Sequence, residues 1–379
     1  MRSARILTLA LGLTLLLGAG SAHAVDGVTE INGTSIAAAG GYPFLLPAAG
    51  SYVLTGNLAP PPGIPALIAG SDDIEIDLNG FEILSPGGGA PFGIDSAGFT
   101  GLSVRNGSIR GFDAGPAIML GPEGRVTETK LRFNGAGIDG GFNCLVVMNV
   151  IVGNTGVGLS GVGGDHCKIE NNIIAANETG ITGFGNVIVH NEIVGNTLSG
   201  GIVDFGGSTI QQNVIIANLG AGITDTDPCA GAPPAPPPPG IPRSDVMGNV
   251  LDNNFAGDGI EYCTPALVTD NTVTNSFGWG IDVGAASTVR GNQVDFNNMS
   301  AGAFGGISVG PGSNVHANAA SFNNPGGIPG SPGLLIPCTS GYTNNTISFH
   351  APSPDVVLVG CAGSVTGPIG NNCTGAACP

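Results

Sequence analysis

The segments CKIENNIIAANETGI (from Cys167), NVIVHNEIVGNTLSGGI (from Asn186) and STIQQNVIIANLGAGI (from Ser208) align without gaps through a central asparagine. Two later segments, SDVMGNVLDNNFAGDGI (from Ser244) and PALVTDNTVTNSFGWGI (from Pro265), follow the same pattern. Each unit contains an aliphatic residue, an Asn, an apolar or β-branched pair, a second Asn and then Gly-Ile. The chain therefore contains an internal repeat of about 22 residues.

The repeat extends over most of the chain. Its first Asn is found at Asn149, Asn172, Asn191, Asn213, Asn249, Asn271, Asn292, Asn318 and Asn345. A second Asn, five residues later, is found at Asn154, Asn177, Asn196, Asn218, Asn254, Asn297 and Asn323. Upstream, Asn79, Asn106 and the Thr129/Asn134 pair continue the period, which gives about twelve units.

A repeat of this length cannot bury its own apolar face and must stack on its neighbours. Blades of a propeller are longer, leucine-rich repeats need a different leucine pattern, and left-handed helices repeat every six residues. Three short apolar stretches per unit suit one coil of a solenoid. We therefore predict an all-β fold, a right-handed parallel β-helix solenoid of about twelve coils. The composition agrees, because 67 Gly and only 10% charged residues disfavour helical and disordered chains.

The recurring Asn and Gly residues are expected to form the bends between strands. An Asn tolerates the left-handed backbone conformation, and its amide can hydrogen-bond both the local backbone and the Asn of the next coil. Stacked amides of this kind would form a ladder. The Gly before each Ile is expected to supply a positive φ at the other bend.

With these repeats, the chain resembles the right-handed parallel β-helix superfamily, the fold of pectate lyases, polygalacturonases, alginate epimerases and many secreted bacterial proteins. The stretches GSYVLTGNL (from Gly50), DDIEIDLNGFEI (from Asp72) and LSVRNGSIRGF (from Leu102) look like the first coils of that superfamily. The resemblance covers roughly residues 40 to 350. It implies a pectate-lyase-like fold, and it is weak for activity.

The ends of the chain have a different character from the repeat. Arg2, Arg5, an apolar run and the Ala22-His23-Ala24 site predict a signal peptide over residues 1–24, and therefore a secreted, periplasmic or cell-surface protein. We expect an N-terminal cap and first coil over 25–70, the β-helix over 71–350 and a Cys-containing C-terminal cap over 351–379. The Pro-rich stretch 228–242 is predicted to be a loop insert.

The charge of the chain restricts its partners. The net charge is −17, and it becomes −19 when the signal peptide with Arg2 and Arg5 is removed. Nucleic acid and anionic membranes are therefore poor partners, and a polyuronate would need bridging cations. No apolar run after the signal is long enough for a membrane span. We expect a monomer that binds an extracellular glycan.

The eight cysteines, an even number in a chain with a signal for export, favour disulfides over zinc. A spacing of 23 residues suggests the pairs Cys144–Cys167 and Cys338–Cys361 between adjacent coils, although other pairings remain open. Cys229–Cys263 could then fix the base of the Pro-rich insert, and Cys373–Cys378 could close the C-terminal end.

The strongest cluster of acidic residues follows the Gly-Ile bend. Glu261 follows Ile260 and Asp282 follows Ile281, so stacking should place their carboxylates on neighbouring coils. Asp225 and Asp258 are expected beside them. Like charges at this distance raise one pKa or attract a cation. We therefore consider Asp225, Asp258, Glu261 and Asp282 as ligands for Ca2+, against a solvated acidic edge as the simpler interpretation.

The same cluster supplies the candidates for catalysis. Glu261 and Asp282 could act as paired acids, and Arg290 is one of the nearest bases. Asp165 and His166 form an acid–base pair on a loop, although the longer Asp/His motif of alginate epimerases is absent. Trp279, the only Trp, could stack on a sugar ring, with Asp225 as a second substrate-binding residue, against packing in the core or a turn as the simpler interpretation.

Two functions remain open from the sequence. The first is an exported protein that binds an extracellular polysaccharide and cleaves it as a lyase or hydrolase. The second is a non-catalytic surface or envelope protein for structure or adhesion, whose function is the rigid rod itself. A groove with clustered acids favours the first, and scattered charge favours the second.

Overall fold

The computed structural model describes residues 27–161, 166–225, 242–300, 302, 304–324, 331–348 and 355–359, together with the backbone of 372–374. The predicted signal peptide, nearly all of the Pro-rich insert and most of the predicted C-terminal cap lie outside the described residues.

Strands that pair only in parallel form two sheets, one of 25 strands and one of 14, over the described residues. The 25-stranded sheet contains two rows of strands. Its first row consists of Val28–Ile31, Gly50–Leu54, Ile74–Asp77, Ser103–Arg110, Arg125–Arg132, Leu145–Val147, Lys168–Glu170, Val187–Val189, Thr209–Gln211, Ser244–Met247, Ala266–Thr269, Thr288–Arg290, Asn314–His316 and Gly341–Thr343. Its second row shares the two long strands Ser103–Arg110 and Arg125–Arg132, and adds Glu82–Leu84, Val150–Val152, Ile173–Ala175, Glu192–Val194, Val214–Ile216, Val250–Asp252, Thr272–Thr274, Gln293–Asp295, Ala319–Ser321, Thr346–Ser348 and Asn372–Thr374.

The 14-stranded sheet closes each coil on the third side. It consists of Phe44–Leu46, Leu67–Ala69, Ile94–Asp95, Pro116–Met119, Ala136–Gly140, Val157–Gly161, Thr179–Gly183, Gly200–Asp204, Ile223–Thr224, Ile260–Tyr262, Ile281–Val283, Ile307–Val309, Leu334–Pro337 and Val356–Val359. One short helix, Gly33–Ala38, lies near the start of the chain and is capped by the side chain of Asn32.

The right-handed parallel β-helix predicted from the repeat is confirmed, but the coil number is not. We expected about twelve coils, and the 14-stranded sheet contributes one strand to each of about fourteen. The difference arises at the N-terminal end. Phe44–Leu46 and Leu67–Ala69 belong to two coils that precede Asn79, the first Asn of the repeat, and they still pair in register with the sheet.

The core is built from aliphatic residues that repeat at the same position of each coil. In the first row, Ile169, Ile188, Ile210, Val246 and Val268 are direct register partners on five successive strands. All five are buried, while their strand neighbours point outward or are partly exposed. The alternation on such short strands explains why the sequence repeats every coil.

The first Asn of each unit forms the predicted ladder. From Asn149 to Asn345, each side-chain amide donates to the Oδ1 atom of the Asn one coil further on, at 2.9 to 3.0 Å. Each Oδ1 also accepts the backbone N–H of the Asn before it. The amides also donate to core carbonyls, as Asn213 does to Ile188 at 2.9 Å. The ladder therefore satisfies backbone groups buried inside the bend.

The predicted left-handed conformation is confirmed at Asn79 (φ 50°) and Asn106 (φ 59°), but it is wrong for the asparagines of this ladder. The left-handed residue is the one before each ladder Asn, for example His190 (φ 56°), Gln212 (φ 53°) and Asp270 (φ 56°). Ladder Asn191, Asn213 and Asn271 are not among the positive-φ residues. The left-handed residue of each bend lies on the outside of the coil, where side chains of different types point to solvent. The Asn at the next position directs its amide inward.

The role predicted for the Gly before Ile is also wrong. Gly180, Gly201 and Gly222, which precede Ile181, Ile202 and Ile223, have no positive φ. A Cβ added at Gly201 would lie 2.6 Å from the carbonyl oxygen of Gly222 and 2.6 Å from a methyl of Ile215. The glycine is thus needed because neighbouring coils and the core approach its α-carbon too closely for a side chain.

The second Asn ladder is interrupted at Ser276. Amide contacts connect Asn196 to Asn218 at 2.8 Å and Asn218 to Asn254 at 3.2 Å, and they resume from Asn297 to Asn323 at 2.8 Å. Ser276 occupies the missing position, and its Oγ is buried without a hydrogen-bond partner. The ladder therefore contains one unsatisfied polar group where the sequence departs from the repeat.

We expect Ser276→Asn to stabilise the protein by about 1 kcal/mol. The introduced amide can accept from Asn254 and donate to Asn297, as the Asn218 amide accepts from Asn196 and donates to Asn254. The measurement is the midpoint of urea unfolding, compared with Ser276→Ala. An asparagine variant no more stable than the alanine variant would show that the gap is accommodated without cost.

One predicted disulfide is confirmed. Cys144 and Cys167 are bonded between adjacent coils. Cys263 and Cys338 each also take part in a disulfide bond. Cys229, Cys361 and Cys378 and the side chain of Cys373 lie outside the described residues, so their predicted pairings remain predictions.

The described part of the chain contains no helix that could cross a membrane.

Candidate acidic site on the 14-stranded sheet

Glu261 and Asp282 are direct register partners on adjacent parallel strands, as the repeat predicted. The same outward row continues to Thr224 on one side of Glu261 and to Ser308 on the other side of Asp282. Thr224 Oγ1 lies 3.5 Å from Glu261 Oε2. The Gly-Ile bend therefore places the two carboxylates one coil apart on the outer surface of the sheet.

Asp258 and Trp279 lie beside these carboxylates, at the bend before each strand. Asp258 and Trp279 are each 8% exposed, and Asp258 Oδ1 accepts the backbone N–H of Trp279 at 2.6 Å. A Cβ at Gly305 would lie 2.7 Å from Trp279 Cζ3, so the indole packs over this glycine of the next coil. The only Trp of the chain is thus fixed between an acidic residue and a glycine.

Asp225 lies deeper in the same corner. It is 7% exposed, and its Oδ2 accepts the backbone N–H groups of Cys263 and Thr264 at 2.8 and 3.1 Å. Thr264 Oγ1 donates to the same oxygen at 3.1 Å. The other oxygen, Oδ1, is buried without a hydrogen-bond partner. One oxygen of Asp225 therefore stabilises the backbone at Cys263 and Thr264, while the other oxygen has no hydrogen-bond partner.

Asp204 and Tyr262 form a buried network next to Asp225. Asp204 accepts hydrogen bonds from Ser208 Oγ at 2.6 Å, Ser244 Oγ at 2.6 Å and Tyr262 Oη at 2.8 Å. Sequence reasoning missed Asp204. The signal was present, because aligning the Gly-Ile bends places Asp204 of Gly-Ile-Val-Asp in line with Asp225 of Gly-Ile-Thr-Asp.

Burial raises the pKa of three carboxyl groups in this site, those of Asp225, Asp258 and Asp282. Desolvation raises the pKa of Asp258 well above its ordinary value, and the charges of Glu261 and Asp282 add to the effect. Desolvation likewise raises the pKa of Asp282, against a hydrogen bond from Ser308. Burial raises the pKa of Asp225 to about 6, although the hydrogen bonds from Thr264 and Cys263 oppose it. The cluster is therefore able to hold protons at a pH where surface carboxylates are ionised.

The raised pKa of Asp225 makes stability depend on pH. The free energy that favours folding with a protonated Asp225 is present below its ordinary pKa of 3.8 and is lost as the pH rises through about 6. We expect the free energy of unfolding of the wild type, relative to Asp225→Asn, to fall by roughly 2 kcal/mol from pH 4 to pH 7.

Urea unfolding of both proteins across this range measures the difference, since pH effects of other groups cancel between them. Asp245→Asn, an exposed change on the other sheet, is the control and should track the wild type. A difference between wild type and Asp225→Asn that is flat with pH would contradict the raised pKa.

The structure does not place the predicted bases beside the carboxylates. Arg290 lies in Thr288–Arg290 of the 25-stranded sheet, in register with Thr269 and His316. Arg243 pairs with Asp245 at 3.4 Å, next to the same sheet. Glu261 and Asp282 lie on the 14-stranded sheet, so the arginines and the acids belong to different surfaces of the coil.

The predicted Asp165–His166 pair is separate from the acidic cluster. Asp165 lies outside the described residues. His166 is exposed, has a φ of 43° and meets the ring of Phe184 edge-on at 6.2 Å. It precedes the strand Lys168–Glu170, four coils before the one that follows Glu261, which corresponds to about 19 Å along the axis.

Among the described residues, no three His, Cys, Asp or Glu side chains are arranged to hold a metal ion. Asp225, Asp258, Glu261 and Asp282 are therefore a cluster of interacting carboxyl groups. Their role as calcium ligands remains a prediction.

Comparison with known proteins supports the fold. No curated protein matches the sequence. Among solved structures, the A-module of the Azotobacter vinelandii mannuronan C-5 epimerase AlgE6 matches with a TM-score of 0.51 at 14% identity, over 91% of this chain and 93% of that one. The Dettilon tailspike protein gp208 matches with a TM-score of 0.48 at 15% identity, over 81% of this chain. The chain spans only 62% of that tailspike.

A third solved structure is the alginate lyase AlyF-OU02 in complex with G6, with a TM-score of 0.43 at 11% identity over 93% of this chain and 91% of that one. Residues 134–299 match the family model described as the right handed beta helix region. This segment contains most of both Asn ladders and the whole acidic cluster. The chain therefore has the right-handed parallel β-helix fold, and its segment 134–299 is similar to the family of that description.

Proposed function

We propose that the protein binds an extracellular polysaccharide on the outer surface of the 14-stranded sheet and hydrolyses it there. The site consists of Asp258, Glu261, Trp279 and Asp282. The observation that supports it most strongly is the pairing of Glu261 and Asp282 on adjacent strands, next to the only Trp. Two neighbouring carboxyl groups beside an aromatic ring are typical of a glycosidase site.

Spacing and acidity together favour hydrolysis. Adjacent strands lie about 4.8 Å apart, close to the roughly 5 Å that separates the two carboxyl groups of a retaining glycosidase. The raised pKa of Asp282 suits a general acid that protonates the leaving oxygen. Glu261 would then act as the nucleophile, and Asp258, with its raised pKa, would keep negative charge low in the empty site.

Elimination by a lyase has less support. A lyase must take the proton α to a uronate carboxyl with a base and must balance the carboxylate charge. Within the described part of the chain, no Arg or Lys lies on a strand of the 14-stranded sheet. A hydrolase needs no such base.

Calcium is a second component of the proposal. Asp225, Asp258, Glu261 and Asp282 offer carboxylate oxygens, which are the ligands that Ca2+ prefers. A bound cation would offset the repulsion among them and would supply positive charge for an acidic substrate. A rise in melting temperature with calcium, reversed by a chelator, would support this component. A melting temperature insensitive to both would contradict it.

Neighbours of the same fold are compatible with the proposal. One of them, AlgE6, is named as a mannuronan epimerase, so a β-helix of this architecture can act on a polysaccharide. The alternative is a non-catalytic rod of the cell surface. It predicts no polysaccharide binding at the acidic site.

The test is a panel of neutral, amino-sugar and uronate polysaccharides, assayed for new reducing ends and for unsaturated products. We expect reducing ends on at least one of them, and at least a 100-fold loss in Glu261→Gln/Asp282→Asn. Asp139→Asn is the matched control, because Asp139 lies in the same outward row and also has a pKa raised by burial, but lies five coils away. Unsaturated products would contradict hydrolysis, and an absence of binding and cleavage throughout would favour the structural rod.

A further inference from the structure

The outer face of the second row of strands is apolar in its middle. On each three-residue strand of this row, the central residue is buried and the first and third residues point outward. These outward positions carry Val, Ile or Ala in four successive strands, from Val150–Val152 to Val214–Ile216, with the exception of Glu192. Ile173 and Val214 are 43% and 38% exposed. The four strands form the apolar stretch of this face.

The bend beside the apolar stretch carries small residues. After each of its four strands, the residue that turns the chain with a positive φ is Gly153, Ala176, Gly195 or Ala217. In the coils on either side, the same position holds the larger Phe133 and Asn253. Another surface can therefore approach the four coils closely without meeting a projecting side chain.

Charged residues of opposite sign lie at the two ends of this face, in one column. The column of third residues holds the positive Arg110 and Arg132 before the apolar stretch, as register partners on adjacent strands. After the apolar stretch the same column continues with Asp252, Thr274 and Asp295. The face is therefore positive at one end and negative at the other.

These charges are largely unbalanced within the chain. None of the ion pairs of the described residues includes Lys130, Asp252 or Asp295. Arg132 takes part in one of them, with Glu82 at 3.9 Å, and its side chain is 39% exposed. The hydrogen bonds that Asp252 accepts come from the neutral side chains of Thr274 and Asn275. Both ends of the face can therefore pair with charges of opposite sign on another molecule.

We propose that two copies of the protein associate through the outer face of the second row, with their coils running in opposite directions. A two-fold axis parallel to the strands, between Ile173–Ala175 and Glu192–Val194, leaves each column facing itself. It places Arg132 of one copy against Asp252 of the other at both ends, with the two apolar stretches packed between them. Such a dimer leaves the proposed polysaccharide site exposed on the 14-stranded sheet, and it takes the place of the monomer expected from the sequence.

The size of the face suits a second copy. From Glu82–Leu84 to Gln293–Asp295 it spans ten coils, which correspond to about 43 Å along the axis. With the bends on either side it is about 17 Å wide, so its footprint of about 700 Å² approaches the roughly 800 Å² that each partner buries in a standard interface. This face alone is therefore large enough for a specific homodimer.

Charge also favours a second copy. The net charge of the chain is −17, so two copies repel each other over most of their surfaces. The apolar stretch, with one acidic residue in four coils, is where this repulsion is weakest. Antiparallel coils also match the positive end of each face with the negative end of the other. A parallel arrangement would instead bring the two positive ends together.

Glu192 marks the position of the two-fold axis. It is exposed, and it is the one charged residue of the apolar stretch. Because it lies next to the axis, the Glu192 carboxylates of the two copies approach and repel each other. The neutral variant Glu192→Gln should therefore tighten the dimer by about threefold.

The experiment measures the oligomeric state of the full chain by sedimentation velocity and native mass spectrometry over a range of concentrations. We expect a monomer–dimer equilibrium with a dissociation constant in the micromolar range. Arg132→Glu and Asp252→Lys should each raise that constant at least about tenfold. An equimolar mixture of the two variants should form a heterodimer, because both of its charge contacts are then complementary again.

Two variants exclude a general effect of charge. Asp252→Lys lowers the net negative charge, so general repulsion cannot explain a weaker dimer. Arg125→Glu, the same change of charge at an exposed position of the first row, is the control for Arg132→Glu and should leave the dimer unchanged.

A monomer at every concentration would overturn the inference, as would a dimer that survives both Arg132→Glu and Asp252→Lys. Weakened dimers without a heterodimer in the mixture would contradict antiparallel coils. Circular dichroism shows whether each variant is folded. If the charge reversals do not fold, Glu192→Gln, an exposed change that preserves shape, decides the question, and an unchanged or weaker dimer in that variant would contradict the proposed axis.

Discussion

Asn213→Ala should lower the free energy of unfolding by about 3 to 5 kcal/mol. The Asn213 side chain accepts from the backbone and amide of Asn191, and donates to Ile188, Gln211 and Asn249. All of these contacts are at 2.9 to 3.1 Å, and Asn213 is buried. Alanine removes the acceptor and the donor of this side chain together, and it leaves several buried polar groups without partners.

The control for this prediction is Gln212→Asn, in the same bend. Gln212 is exposed and has a φ of 53°, a conformation that Asn adopts readily. Its effect should stay within about 0.5 kcal/mol. Urea unfolding, followed by circular dichroism, compares the three proteins. A loss in Asn213→Ala no larger than in the control would show that the ladder adds no stability.

Gly201→Ala should destabilise the protein by about 2 to 4 kcal/mol, although the glycine has an ordinary φ. The new methyl would lie 2.6 Å from the Gly222 carbonyl oxygen and from Ile215, and 3.2 Å from the amide of Asn218. Two neighbouring coils would have to separate to admit it. The cost is steric, so replacing Gly201 with any residue larger than Ala should be worse.

Gly140→Ala is the matched control, because Gly140 lies in a strand of the same sheet. Its added Cβ would meet only Ser160 at 3.5 Å and Cys144 at 3.7 Å, which are ordinary contacts. We expect little change, or a small gain from the reduced freedom of the unfolded chain. Thermal unfolding of both variants tests the steric explanation, which predicts a loss of stability in Gly201→Ala only. A general preference for glycine would instead lower the stability of both variants equally.

The sequence predicted the fold because each coil repeats its own chemistry. Two asparagines and one Gly-Ile per unit are enough to reveal the stack, and the register of Glu261 with Asp282 follows from it directly. Conformational details did not follow. Asn and Gly both favour positive φ in general, and only the packed coils show that Gln212 bends the chain while Asn213 and Gly201 serve contacts across coils.

The sequence predicted which acidic residues of the candidate site are neighbours. It did not predict how deeply each one is buried or which charged residues surround it. Aligning Gly-Ile bends identifies which acids share an outward row, but it does not show that Asp225 turns inward beside Asp204 and Tyr262. Nor does it show that Arg290 lies on a different sheet from the acids. Both depend on where a coil turns, which is a property of the stack and not of one unit.

The most direct test of the account is hydrogen–deuterium exchange with and without the polysaccharide of the panel that binds most tightly. The account predicts slower exchange in the peptides that cover 255–262 and 277–283, where Asp258, Glu261, Trp279 and Asp282 lie. It predicts no change in 125–132 on the 25-stranded sheet. Protection confined to the 25-stranded sheet, or none at all with a bound polysaccharide, would contradict a binding site on the acidic sheet.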